Sequence, residues 1–90
     1  MPKEPIPLPI DGILDLHQFN PGELGDLIPG YIEACLQKDV TSIRIIHGKG
    51  KGVLRRTVHA LLDKNPFVQS YRLANDPSGW GATLVELIPQ

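Results

Sequence analysis

A short apolar run that ends in three alternate glycines leaves this chain few choices of fold. The run from Val40 to His47 is rich in β-branched residues and too short for a helix, so it predicts a strand. The glycines alternate with other residues in the segment 47–52, His-Gly-Lys-Gly-Lys-Gly. Apolar residues then recur at helical spacing from Val53 to Lys64, before Asn65–Pro66 ends the pattern. A strand, a glycine-rich turn and a helix are therefore predicted in this order.

The start of the chain predicts an arm followed by a strand. Residues 1–9 carry four prolines, which lack the amide hydrogen that a central strand needs, so an extended or disordered N-terminal arm is expected. Residues 10–17 alternate between apolar and polar positions, the pattern of a strand with one buried face. On that strand Asp15 and His17 would project from the same side.

A helix is predicted between these two strands. Residues 20–23, Asn-Pro-Gly-Glu, have the order of a helix start, and the apolar stripe that follows ends near residues 38–39. Pro29–Gly30 predicts a kink or two short helical pieces, because an interior proline costs about 3 kcal/mol or more. The single cysteine, Cys35, lies on the apolar stripe and is interpreted as a core residue. A lone cysteine also excludes an internal disulfide and a thiolate metal cage.

The remaining residues complete an α/β fold in the order βαβαββ, a mixed four-stranded sheet with two helices. Strands are predicted at Phe67–Ala74 and Ala82–Ile88. Helical crossovers imply that the first two strands pair in parallel, and the short last loop implies an antiparallel hairpin. If the first three strands run the same way, His17, His47 and the loop 75–81 share one edge. Open α/β sheets bind their ligands at this edge.

Size and composition allow one domain, at residues 10–90. A chain of 90 residues can build one core, with one layer of helices on one sheet. No apolar run approaches the ~18 to 20 residues that span a bilayer, and the first residues lack the apolar core of a signal peptide. A cytoplasmic protein with no membrane partner is therefore expected, in the form of a monomer.

Positive charge is concentrated in one quarter of the chain. The net charge is only −1, but residues 40–62 contain no Asp or Glu and hold five of the nine basic residues. These five are Arg44, Lys49, Lys51, Arg55 and Arg56. A local positive patch of this kind can steer a polyanion to a nearly neutral protein.

The glycine-rich turn is the strongest candidate for a binding element. Between a strand and a helix it aims backbone amides and the positive helix end at an anion, so phosphate is the expected guest. The spacing fits no usual nucleotide motif, since GxxxxGKS/T is absent and GxGxxG fails at Val53. A flexible turn with solvated lysines is the alternative. The residues predicted to bind nucleic acid are Gly48, Lys49, Gly50, Lys51, Gly52, Arg56 and Trp80.

Histidines and one tryptophan supply the candidate chemistry. An imidazole titrates near neutral pH, so His17 could move a proton while Asp15 orients its ring, although both could be ordinary hydrogen-bonding residues. His47 ends the second strand, where it could contact phosphate, serve as the partner acid or cap the strand. His59 is interpreted as structural. Trp80 could stack on a base or close the end of the sheet.

A metal site is the open alternative to acid–base catalysis. Asp11, Asp15, His17 and His47 are candidate ligands, but two-metal phosphodiester chemistry usually needs a tighter carboxylate cluster. The sequence therefore requires no cofactor, and a divalent metal such as Mg²⁺ stays open. Without a metal, RNA is the easier substrate, because its 2′-hydroxyl can attack the adjacent phosphate once a histidine takes the proton.

Several motifs also stand in a recognisable order. They are Leu14-Asp15-Leu16-His17, Ile45-Ile46-His47-Gly48-Lys49-Gly50, Gly52-Val53-Leu54-Arg55, Gly79-Trp80-Gly81-Ala82-Thr83 and Val85-Glu86-Leu87. In this order and at these spacings, residues 10–87 resemble the small MutS-related (Smr) domain family. The resemblance implies a two-layer α/β sandwich and endonuclease activity, either nicking DNA or cleaving RNA, including messenger RNA on stalled ribosomes.

The resemblance also implies roles for particular residues. By position, Asp15 and His17 are the acid–base pair, the loop 47–50 faces phosphate, and Arg55 stabilises developing negative charge. The family usually has Gly after the first His, where this chain has Gln18, a side chain that could crowd His17. The alternatives are a nucleic-acid or ribosome-binding module without chemistry, and a domain whose sheet face binds a protein partner.

Overall fold

The described residues form four strands and two α-helices in the order βαβαββ, which confirms the predicted fold class. The computed structural model describes residues 9–48, 52–74 and 81–90, without the side chain of Gln18. Two 3-10 turns, Leu16–Gln18 and Pro21–Glu23, lie between the first strand and the first α-helix. The strands are β1 (Ile13–Asp15), β2 (Ser42–Ile46), β3 (Val68–Leu73) and β4 (Ala82–Leu87), and the helices are α1 (Leu24–Gln37) and α2 (Val53–Lys64).

The strands make one mixed sheet in the order β1-β2-β4-β3. β1 pairs with β2 in parallel, whereas β4 runs antiparallel to both β2 and β3. β1, β2 and β3 therefore point the same way, and β4 begins at the edge where they end. At this edge the backbone N–H of His47 donates to the carbonyl of Gly81 over 2.9 Å. The prediction that the first two strands end at one edge is thereby confirmed.

Both helices pack on one face of the sheet, and the core lies between the two layers. Alternate strand residues point into it, among them Leu14, Ile45 and Val85, each no more than 1% exposed. Burying a side chain of this size stabilises the fold by about 1.5 to 3 kcal/mol. The other sheet face is open, and Ile13 on it is 54% exposed. The helices contribute the buried residues Leu24, Ile28, Tyr31, Ile32, Cys35, Val58 and Leu62.

The hydroxyl of Tyr31 ties β1 to α1. It accepts a hydrogen bond from the backbone N–H of Gly12 and donates one to the carbonyl of Ile13, both over 3.2 Å. Burial raises the pKa of Tyr31 to about 12, so the hydroxyl keeps its proton at neutral pH. β1 has three residues and pairs with β2 alone, so this side-chain clamp helps to hold the strand that carries Asp15.

The prediction that residues 10–17 form one strand is wrong. β1 ends at Asp15, and His17 lies in the 3-10 turn that follows. Buried and exposed residues nevertheless continue to alternate through the turn, with Leu16 fully buried and His17 exposed. The alternation of apolar and polar residues therefore reports which side chains are buried. It cannot distinguish one long strand from a short strand followed by a 3-10 turn.

Of the two alternatives predicted for Pro29, two short helical pieces is wrong, because α1 is unbroken through it, and a kink stays a prediction. The missing N–H of Pro29 would have donated to the carbonyl of Gly25, one turn earlier. Gly25 lies in the first turn of α1 and is exposed, so water can reach that carbonyl. Ile28 and Ile32 on either side are buried and hold the helix to the core. Among the described helices, none is long and apolar enough to cross a membrane.

Candidate functional site

A side-chain hydrogen bond joins Asp15 and His17 at the end of β1. The backbone of Asp15 is extended, and its carboxylate oxygen Oδ1 accepts the backbone N–H of His17 over 2.9 Å, which starts the 3-10 turn. The same oxygen lies 2.6 Å from Nδ1 of the His17 ring. Because a carboxylate oxygen only accepts, Nδ1 carries the hydrogen, and Nε2 of a neutral ring keeps its lone pair. The predicted neighbours are therefore together, brought there by a turn instead of strand alternation.

The carboxylate of Asp15 stays ionised at neutral pH. The backbone N–H of His17 lowers the pKa of Asp15 most, burial opposes this, and the ring hydrogen bond and charge of His17 lower the pKa further. The side chains of His17 and Asp15 are 61% and 47% exposed, so the pair lies within reach of a solvent-borne substrate. A pair this exposed adds little to stability, and its effect is to orient the imidazole.

Gly48 lies beside Nε2 of His17, on the side of the ring away from Asp15. It follows β2 with φ +83°, a left-handed conformation that side chains other than glycine rarely adopt. A Cβ at this position would stand 3.3 Å from Nε2 of His17. The backbone N–H of Gly48 donates to the carbonyl of Gly81 over 2.8 Å, so the start of β4 fixes its place. The free nitrogen of the His17 ring therefore faces the first glycine of the glycine-rich turn.

His47 faces inward beneath this turn. It is 4% exposed, with Nδ1 lying 3.0 Å from the carbonyl oxygen of Gly48 and Nε2 lying 2.9 Å from Oγ1 of Thr83. Burial lowers the pKa of His47, the hydrogen bond to Gly48 opposes this, and the charge of Arg55 lowers it again. His47 is thus a neutral ring with both nitrogens engaged inside the protein. A direct contact of this ring with phosphate stays a prediction.

The start of α2 supplies positive charge near His47. Gly52 precedes the helix with φ +82°, and the first turn of α2 contains no acidic residue. The Nη2 atom of Arg55 lies 3.0 Å from the point where a Cβ of Gly52 would stand, so the guanidinium folds back over the glycine. Arg56 is exposed on the same turn. A helix start with two arginines and no carboxylate favours an anion.

Residues 14–88 match the family model of the Smr domain. This chain belongs to the Smr domain family. The match covers more than half of the chain and confirms the resemblance inferred from the five motifs. The family match by itself identifies no catalytic residue.

Relatives of this Smr domain are much longer proteins. The chain is 46% identical over 59 residues to the endonuclease MutS2 of Maridesulfovibrio salexigens, a match covering 64% of this chain and 8% of the relative. It is 34% identical over 79 residues to the endonuclease MutS2 of Clostridium beijerinckii, covering 87% and 10%. The chain therefore spans about a tenth of the length of these curated relatives.

Two crystal structures have closely similar folds. The Smr domain of Thermus thermophilus MutS2 superposes with a TM-score of 0.79 at 28% identity, covering 86% of this chain and 98% of that one. YdaL, a stand-alone small MutS-related protein from Escherichia coli, also has a TM-score of 0.79 at 28% identity, covering 89% and 66%. The Smr fold thus occurs both inside a longer protein and as a stand-alone protein.

Part of the predicted site of this Smr domain lies outside the described residues. This applies to Lys49, Gly50, Lys51 and Trp80, to the side chain of Gln18, and to the arm at residues 1–8. Asp11, predicted as a candidate metal ligand, uses Oδ1 to accept the backbone N–H of Ile13 over 3.0 Å. In the ranges 9–48, 52–74 and 81–90, no three His, Cys, Asp or Glu side chains converge on a point that could hold a metal ion.

Sequence reasoning assigned no role to Thr83 and a purely structural one to His59. Oγ1 of Thr83 lies 2.8 Å from Nε2 of His59, so the threonine joins both inward-facing histidines of the Smr domain. One signal was present in the sequence. In β4, Thr83 alternates in phase with Val85 and Leu87, which face the core, and a buried hydroxyl needs hydrogen-bond partners.

Proposed function

We propose that this Smr domain is an endonuclease that cleaves a nucleic-acid phosphodiester at Asp15 and His17. The observation that carries the proposal is the orientation of His17. Its Nδ1–H is held by a carboxylate, and its Nε2 faces Gly48 at the first turn of a basic, glycine-rich segment. The names of the MutS2 relatives support the same reaction class.

The pair has the chemistry of a general base. Nε2 of His17 takes a proton from the attacking hydroxyl, and the ionised Asp15 stabilises the imidazolium that forms. In RNA the attacking group is the adjacent 2′-hydroxyl. Its oxygen bonds to phosphorus, the P–O5′ bond breaks, and the departing oxygen takes a proton, which leaves a 2′,3′-cyclic phosphate and a 5′-hydroxyl. In DNA the attacking group is water, which His17 deprotonates in the same way. The water oxygen bonds to phosphorus, one P–O ester bond breaks, and the departing oxygen takes a proton from the solvent.

Positive charge at the start of α2 supports substrate binding. Arg55 and Arg56 lie on the first turn of α2, close to the turn that Gly48 begins. We propose that the guanidinium of Arg55 stabilises negative charge on the phosphate during bond breaking, and that Arg56 holds a neighbouring phosphate. Lys49 and Lys51 extend the same positive segment of the sequence.

The test is whether the purified chain cleaves RNA, DNA or both. End-labelled single-stranded RNA and supercoiled DNA are each incubated with Mg²⁺ or with EDTA. We expect RNA cleavage in EDTA, with His17→Ala lowering the rate about 10²- to 10⁴-fold because the general base is lost. Asp15→Ala should also lower the rate, because the His17 ring loses the carboxylate that orients it, and Asp26→Ala, which removes an exposed carboxylate on α1, is the matched control.

Other outcomes would change the assignment. DNA nicking that requires Mg²⁺ would turn Asp15 into a metal-ligand candidate. Binding without cleavage of either substrate would favour the alternative of a nucleic-acid or ribosome-binding module. In that case affinity should still fall as salt rises, with a log–log slope of about −0.7 to −0.9 for each phosphate contact.

A further inference from the structure

Thr83 lies between two imidazole rings in the core beneath the site. It is fully buried, and its Oγ1 stands 2.9 Å from Nε2 of His47 and 2.8 Å from Nε2 of His59. The three residues come from β4, the end of β2 and α2. One hydroxyl therefore joins three separate elements at the point where the candidate site is built.

The direction of each hydrogen bond from His59 to Gly48 follows from the Gly48 end. Nδ1 of His47 meets a carbonyl oxygen, that of Gly48, which only accepts, so Nδ1 carries the hydrogen. Nε2 of a neutral His47 must then accept, and Thr83 donates its single hydrogen there. The oxygen of Thr83 is left to accept from His59, whose Nε2 carries the hydrogen. Donation thus runs from His59 to Thr83, to His47 and to Gly48.

The surroundings keep both rings neutral. Burial lowers the pKa of His59, and the charges of His47 and Arg55 lower it further while Asp63 opposes them. The ring of Tyr71 on β3 packs on His59 at 4.7 Å, and its hydroxyl donates to Asp63 over 2.6 Å. A second hydrogen on His47 would stand on Nε2 and deprive the Thr83 hydroxyl of the nitrogen to which it donates. The network therefore has a single arrangement of hydrogens.

This series of hydrogen bonds ends at Gly48, the glycine that faces His17. The Gly48 carbonyl is held by the His47 ring, its N–H is held by Gly81, and a Cβ on it would lie 3.3 Å from Nε2 of His17. We propose that Thr83 and His59 are positioning residues, which hold His47 in one tautomer and thereby fix the position of Gly48 beside Nε2 of His17. This inference rests on the proposed endonuclease function and adds two residues that do not touch the substrate.

The first test separates the hydroxyl of Thr83 from its shape. Thr83→Val keeps the volume and the branching but removes the hydroxyl, whereas Thr83→Ser keeps the hydroxyl and loses a methyl group. On the single-stranded RNA probe, we expect Thr83→Val to lower kcat about 10- to 100-fold with KM changed by less than about twofold, and Thr83→Ser to restore most of the rate. Melting temperatures measured in parallel show whether cleavage follows the hydroxyl or merely follows stability.

The second test does not depend on cleavage. Long-range ¹H–¹⁵N spectra of the labelled chain report which ring nitrogen of each histidine carries a hydrogen. We expect the Nδ1–H form for His47 and the Nε2–H form for His59. In Thr83→Val these signals should give way to mixed tautomers and the amide signal of Gly48 should move, while Thr83→Ser should resemble the unmodified chain.

The two tests separate the two proposals. If the unmodified chain cuts neither substrate, the proposed function fails, while the ring spectra still decide whether Thr83 anchors Gly48. If the unmodified chain cuts RNA and Thr83→Val leaves its kcat and the Gly48 amide unchanged, the positioning role is wrong. It is equally wrong if the rates of the Val and Ser variants follow their melting temperatures.

Discussion

At the scale of single residues, Gly48 joins an unusual backbone conformation to the candidate chemistry. Its φ of +83° favours glycine, and the missing side chain leaves space for Nε2 of His17. Any larger residue would be strained by its backbone and would press on the ring. Since the side chain of His17 is 61% exposed, the ring would move aside at low cost in stability but would lose its orientation.

Gly48→Ala tests this double constraint. We expect the free energy of unfolding to fall by about 1 to 2 kcal/mol, because alanine is strained in the left-handed region. Cleavage should fall much further than this loss of stability explains, since the protein stays folded. Chemical denaturation and the RNA cleavage rate are the two measurements.

Gly25 in α1 offers the matched control for this substitution. A Cβ there would meet no heavy atom within 4 Å. Gly25→Ala should stabilise the helix by roughly 0.5 to 1 kcal/mol and leave the cleavage rate unchanged. Equal activity of Gly48→Ala and Gly25→Ala would rule out a close contact between residue 48 and the working ring.

Arg55 is the residue proposed to act on negative charge as it develops. Arg55→Ala should therefore lower kcat more than it weakens RNA binding, whereas Arg56→Ala should mainly raise the dissociation constant. Single-turnover rates and binding titrations at fixed salt separate the two effects. Lys64→Ala, at the far end of α2, controls for the general loss of one positive charge. Equal losses of binding and rate for Arg55→Ala would contradict its assignment.

At the scale of elements, the short strand β1 depends on help from α1. Gly12 and Ile13 share the hydroxyl of Tyr31, and Gly12 is buried. Tyr31→Phe keeps the ring in the core but leaves a buried N–H without its partner. We expect the free energy of unfolding to fall by about 1 to 3 kcal/mol, measured by chemical denaturation. An unchanged stability would mean that the β1–β2 hydrogen bonds suffice to hold the strand.

Elements with strong signals at both ends were predictable from sequence. α2 occupies Val53–Lys64 as predicted, because glycine stands before it and Asn65–Pro66 after it. The proximity of Asp15 and His17 was also predicted, although for a wrong reason, since alternating burial continues through a 3-10 turn. The position of Thr83 between two histidines was not predictable. It requires β4 to lie between β2 and β3, and strand order depends on packing between residues far apart in the chain.

At the scale of the whole molecule, the buried histidines make stability depend on pH. Burial lowers the pKa of both His47 and His59 from the ordinary value of 6.5. Below a pH of about 6.5 these histidines are protonated in the unfolded chain but stay neutral in the folded chain, so the free energy of unfolding should fall as the pH drops. Above it, these two residues should have no further effect on stability.

Denaturation midpoints at pH 7.5 and pH 5.0 measure this effect. We expect a lower midpoint at the acidic pH in the unmodified chain and a smaller difference in His59→Gln, which lacks the half-buried one of the two imidazoles. Asp15 does not confuse the comparison, since its pKa lies below 3.8 and its contribution is lost only in stronger acid. A midpoint that stays constant or rises on acidification would contradict the burial of neutral rings.

The directions of the strands also fix where the two ends of the fold lie. Gly12, just before β1, accepts the backbone N–H of Arg44 near the start of β2, and Leu87 at the end of β4 donates to the carbonyl of Thr41. Both ends of the fold therefore leave from the edge opposite to Asp15 and His17. A polypeptide joined at the start of β1 or the end of β4 would therefore be attached at the far side of the sheet from the candidate site.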